Sequence, residues 1–324
     1  MSRKSQVQLA EVLIAFSLIL IIIGIGLGLE KKTIVNPVTN THVVGTVNTS
    51  DINITTTEDP VTEQTPEQQE PTQQPTTPAV ENKEQAQQKA ATTSLEQTNK
   101  DLRNSIQRNY GVTIRYGAET NGYRISGLST SMLTDATKIN DVLSTLNYNL
   151  SLYPPGFFDE TKNGGYTLTL YLIKCYSQKN VTGITDSSTS NIIISLATDY
   201  SFVESLHHEI YHYIEKYMYD RGANYTTWNN LNPQDFVYGL ANSSLSYTTG
   251  NNPNASFVNN YAQTDEYEDR ASTFEYMMSQ TEASCLQTGT PIWKKAKYIC
   301  EQIDAVFRTV TPSNTEYWER YVYN

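Results

Sequence analysis

Within the segment VESLHHEIYHYIEKYM, His208, Glu209 and His212 form an HExxH pattern. On an α-helix, residues four apart stand one turn above each other, so His208 and His212 can aim imidazole nitrogens at one ion. Glu209, rotated about 100° around the axis, can reach a water beside that ion. Such a set suits a hydrolytic zinc site, in which two histidines and one further protein ligand leave a position open. A chance HExxH on a solvated helix needs no apolar stripe. Here Leu206, Ile210 and Ile214 recur at helical spacing and predict a half-buried helix, where an ionisable row requires partners or a metal.

The chain has four histidines. His42 lies in a polar tract, His207 points about 100° away from His208, and the other two are already used, so the third ligand is expected to be a carboxylate. Glu215 and Met218 stand where HExxHxxGxxH requires Gly and His, which removes the metzincin pattern. Cys175, Cys285 and Cys300 have no CxxC spacing. Cys285 and Cys300 could pair in an exported domain; three buried thiols are the alternative.

Downstream, YAQTDEYEDRASTFE concentrates acids. If a helix starts near Asp265, then Glu268, Ala271 and Glu275 share a face, and the small Ala271 permits a close approach to the HExxH helix. Glu268 is the expected ligand. Asp269 and Glu275 remain as alternatives, better placed to accept from imidazole N–H groups. Charge patterning alone would leave Glu268 as one acid on a solvated helix.

HEIYHYIE, then WNNLNP from Trp228, then FVNNYAQTDEYEDRASTFEYMM together resemble bacterial zinc metallopeptidases of the gluzincin group, related to the anthrax lethal factor catalytic domain and the Pro-Pro endopeptidases. The resemblance covers roughly residues 130–310. It implies zinc held by His208, His212 and Glu268, the last opening an E-x-x-A helix with Ala271. It further implies Glu209 as general base and Tyr261, seven residues before Glu268, as donor to the oxyanion. Ser272 stands where lethal factor has Glu, so part of the surrounding shell differs.

The elements that must position these residues can be read from periodicity. Leu95, Leu102 and Ile106 mark a first helix, VTIRYG a short strand, and Ile139, Val142, Leu143 and Leu146 a helix over about 131–152 that Pro154-Pro155-Gly156 stops. Strands are expected over 166–174 (YTLTLYLIK) and 191–197 (NIIISLA). Further helices are expected through HExxH, over about 266–278 and over about 291–310. The fold class is α+β: a small sheet packed on helices with a mostly helical second half. The family resemblance makes it zincin-like.

The N-terminal third differs in kind. Residues 12–29, VLIAFSLILIIIGIGLGL, carry no charge and at ~1.5 Å per residue can cross a bilayer core of about 30 Å. The run is long for a cleaved signal, so an uncleaved anchor is expected, with 1–11 as a cytoplasmic tail and the bulk outside the cell. Residues 30–92, rich in Thr, Gln, Glu and Pro, read as a disordered tether, and 93–324 as the globular domain. All 23 tyrosines lie from Tyr110 onward.

A net charge of −11 argues against nucleic acid as a partner. The expected function is a membrane-anchored zinc metallopeptidase that acts on protein or peptide substrates near the cell envelope. A tethered binding module that uses its tyrosines around a structural or vestigial zinc site is the alternative.

Overall fold

The computed structural model describes residues 78–199, 201–239 and 247–323. The tail 1–11, the apolar run 12–29 and residues 30–77 of the expected tether lie outside the described residues. No described helix is long and apolar enough to cross a membrane. The chain divides into units Met1–Glu84 and Gln85–Asn324, and the fold is that of the second.

The first helix, α1 (Pro78–Tyr110), begins within the stretch expected as tether, where 78–92 is helical. After its opening proline this stretch is built of Ala, Gln, Glu and Lys, good helix formers whose propensity outweighs polar composition. The second half of α1 enters the core through Ile106 and through Asn99, whose amide donates to the Ala136 carbonyl at 2.7 Å. Gly111 ends α1 with φ +67°, and a Cβ there would stand 2.3 Å from Asp159 Oδ1, so glycine meets both a left-handed turn and a close approach.

The sheet is mixed. Strand β4 (Thr167–Tyr176) is its axis, parallel to β1 (Thr113–Tyr116) and to β6 (Asn191–Ala197). Strands β2 (Arg124–Ile125) and β3 (Leu128–Met132) form a hairpin that joins antiparallel to the far end of β4, and β5 (Gly183–Asp186) closes the other side antiparallel to β6. The order is β2-β3-β4-β6-β5, with β1 alongside β4. Leu168, Leu170 and Leu172 of β4 and Ile192, Ile194 and Leu196 of β6 alternate onto the helix-covered face. On the opposite face a smaller cluster holds Ile125, Ile173, Tyr176 and Ala197.

Between the strands lie α2 (Ala136–Leu150) and α3 (Phe157–Asn163). The helix expected from 131 starts five residues later because 128–132, LSTSM, is strand β3; Ser and Thr pair readily there, and Asp135 caps α2 by accepting from Lys138 N at 2.9 Å. After β6 the chain is helical: α4 (Val203–Tyr219), α5 (Glu266–Ser279) and α6 (Pro291–Val306). Leu206, Ile210, Ile214 and Met218 form the fully buried stripe of α4. The architecture is α+β. All three cysteines are free, Cys285 and Cys300 as buried thiols, so no bridge joins them.

Candidate metal centre

Helix α4 sets His208 and His212 one turn apart, with their Nε2 atoms 3.2 Å from each other. Helix α5 brings Glu268 to both: its Oε2 lies 2.9 Å from His208 Nε2 and 3.4 Å from His212 Nε2. Four ligands at about 2.0–2.1 Å around a tetrahedral zinc stand roughly 3.4 Å apart, so the donor spacing and the N,N,O chemistry fit that ion. Among the described residues this is the one group of three or more His, Cys, Asp or Glu side chains whose donor atoms converge, all within 4.8 Å of one another.

Local sequence explains the convergence. Asp265 caps α5, accepting from the backbone N–H of Tyr267 and of Glu268 at 2.9 Å each, which fixes the helix start one turn before the carboxylate. Ala271 and Ser272, both fully buried, let α5 approach α4 closely. Glu275 lies 3.1 Å from His208 Nδ1. An Nδ1–H donated to that carboxylate leaves the Nε2 lone pair directed at the shared space, the usual orientation of a metal-ligating histidine.

Burial alone would lower both imidazoles, but hydrogen bonds donated to Glu268 and Glu275 hold His208 well above its ordinary range, and the Glu268 charge raises His212. Burial works against the Glu268 carboxylate too, yet the two imidazoles outweigh it and hold that group below the usual range. The cleft therefore stabilises positive charge at the point where the three donors meet.

Glu209 is 7% exposed, and burial pushes its carboxyl up. Its Oε2 accepts from Thr185 Oγ1 at 2.5 Å, and a Cβ on Gly183 would stand 2.6 Å from its Oε1. Strand β5 thus cradles Glu209 with a hydroxyl and a bare backbone. Tyr261 opens the turn before α5, half-exposed, its ring 5.8 Å from that of His208. Desolvation, with the Glu268 and Glu209 carboxylates nearby, raises its phenol.

His208, Glu209, His212, Tyr261 and Glu268 are thus gathered in one place, with Glu275 behind His208. Asp269 is not among them, contrary to the expectation that it could serve an imidazole. One residue on from Glu268 it faces away, buried, and accepts from Lys295 Nζ at 2.7 Å and Tyr238 Oη at 2.5 Å. His207 is a core histidine between Tyr153 Oη at 2.9 Å and Asn149 Oδ1 at 3.0 Å; burial pushes it down to about 3. Sequence reasoning missed β5, with Gly183 and Thr185. GITD is short and polar, and nothing in it signals a strand beside the site. Comparison with family models, with curated proteins and with solved structures finds no match for this chain.

Proposed function

We propose that this chain is a zinc-dependent metallopeptidase with a zincin-like catalytic domain, held at the outer face of the cell membrane by residues 12–29. The observation that carries this is the junction of His208, His212 and Glu268 with Glu209 cradled beside it. His208, His212 and Glu268 would hold the ion, which when bound supplies Lewis acidity to polarise a carbonyl and acidify a water. Glu209 takes the proton of the attacking water and returns it to the leaving amine, a role suited to a buried carboxyl whose pKa is raised. The Tyr261 hydroxyl donates to the oxyanion that develops on the carbonyl.

A purely structural zinc is closed by four protein ligands, whereas three donors converge here and Glu209 is bedded beside them on Thr185. Peptide as substrate is supported by β5, the edge strand whose Gly183 and Thr185 adjoin Glu209. An extended segment can add to such an edge through main-chain hydrogen bonds, which would lay its scissile bond along the HExxH helix. Protein or peptide substrates close to the envelope follow from the anchor and tether.

The test is turnover of a peptide library by the zinc-loaded protein beside Glu209→Gln. The substitution is expected to lower kcat/KM by about 10²–10⁴-fold with zinc content unchanged. Cleavage at the parent rate would remove Glu209 from the proton-transfer role.

A further inference from the structure

A second buried contact joins α4 and α5, and the chemistry assigned to the cluster makes no use of it. Glu215, one turn beyond His212, accepts from Arg270 Nε. Both side chains are buried, at 4% and 0% exposure. The guanidinium is packed among aromatic rings, 4.4 Å from the centroid of Tyr225, 4.9 Å from Tyr267 and 5.6 Å from Trp228. Its Nη2 donates to Tyr219 Oη at 3.4 Å, and its Nη1 has no hydrogen-bond partner, with Glu266 at 3.6 Å.

Such a pair is a poor device for stability. Removing two charges from water costs much of what their attraction returns, and apolar residues of like volume often do as well or better. Its position suggests another use. Near the start of α4, Glu275 of α5 meets His208; near the end of α4, Arg270 meets Glu215. Along α4 the contact of Glu268 with His208 and His212 lies between these two polar rungs, while along α5 Glu268 stands two residues before Arg270.

On the face of α5 that carries Glu268 and Glu275, the intervening residues are Ala271 and Ser272. Small side chains allow close approach but interlock little, so they leave the sliding of one helix along the other weakly determined. A planar guanidinium that donates through Nε to a carboxylate and through Nη2 to a phenol, and is packed among three rings, does determine it.

We propose that Glu215 and Arg270 are the positioning pair of the metal centre: they fix α5 along α4 so that the Glu268 carboxylate meets the two imidazoles at bonding distance. This rests on the metal-centre reading. It adds that metal affinity and coordination geometry depend on two residues that touch neither metal nor substrate.

The test uses the full chain purified in detergent without chelator. Parent, the apolar double variant Glu215→Leu/Arg270→Met and the conservative Arg270→Lys are compared by melting temperature, zinc affinity in chelator competition, and the visible spectrum of the cobalt-loaded protein. The double variant should melt near the parent temperature, bind zinc about 10–100-fold more weakly, and show a weakened or shifted cobalt band. Arg270→Lys keeps the charge but loses the planar fork, and should move affinity and spectrum the same way by less. It also carries the test if the apolar pair does not fold.

Parent affinity and an unchanged cobalt spectrum in a folded variant would overturn the proposal and leave the pair a packing feature. A parent that takes up neither zinc nor cobalt would overturn the metal centre itself, and this inference with it.

Discussion

Two regions of this domain are both buried and differ in the chemistry that fills them. Where α2 meets β4 and β6, Leu143, Leu146, Leu170, Leu172, Ile194 and Leu196 are fully buried side by side. In the seam of α4 with α5 and α6, the buried residues include the ionisable side chains His208, Glu209, Glu215, Asp269, Arg270 and Lys295, each with a polar partner. Apolar packing is non-directional and scales with the area removed from water, so the first region supplies stability without fixing any one atom. Hydrogen-bonded charges gain less on balance but hold atoms at set distances, which a metal centre requires. The difference separates what keeps the domain folded from what keeps three donors together.

Exchanging damage between the two regions tests that separation. The largest effect is expected in the apolar layer. Leu170→Ala removes a fully buried side chain from the central strand and should cost about 2–5 kcal/mol in chemical denaturation, while zinc per folded chain stays at the parent value. A parallel loss of zinc from the folded variant would mean that the two regions are not independent.

A smaller effect is expected from Glu275→Gln. The amide can still accept from His208 Nδ1 but no longer carries charge, so zinc affinity should fall about tenfold or more with little change in unfolding free energy. Unaltered affinity in chelator competition would remove Glu275 from the support of His208.

Smallest is a pH effect on the metal-free protein. His208 has its folded pKa raised, so its contribution to stability is complete below about 6.5 and is lost as pH rises through the folded value. Glu268 has its folded pKa lowered, so its contribution is present above about 4.5 and is lost as pH falls. Stabilisation by the empty cluster therefore peaks between those values. Zinc competes with the imidazole protons, so the rise in melting temperature on adding zinc should grow as pH is raised from 5 to 7.5. A zinc-dependent rise that is flat over that range would show that the imidazoles are not the groups zinc displaces protons from.

The apolar layer was largely legible in the sequence. Alternation in YTLTLYLIK and the β-branched run NIIISLA mark β4 and β6, because a strand with a buried face must repeat every two residues. HExxH and the stripe Leu206, Ile210, Ile214 mark α4, and the spacing from Asp265 to Glu275 marks α5 as the source of the third donor. Single acids were harder to place. Glu275 and Asp269 both looked able to serve an imidazole, and only the direction in which α5 lies on α4 separates them.

Other features left no local signal. The hairpin of β2 and β3 was absorbed into a helix expected from 131, because Ser and Thr carry little periodicity. Strand β5 is four residues long, and it is set by its neighbour β6 and by the space Glu209 needs at Gly183. The helix over 78–92 leaves no periodic signal because its polar composition masks helix propensity. Glu215 and Arg270 are ordinary charged letters in sequence, and their pairing is a fact of tertiary structure.

The most direct test of the central claim is zinc per chain by elemental analysis, for the parent and for Glu268→Ala purified alike without chelator. About one zinc in the parent and far less in the folded variant is the predicted result, since the variant keeps both imidazoles and loses the carboxylate that closes the set. No zinc in a folded parent, or equal zinc in both proteins, would contradict a centre built from His208, His212 and Glu268.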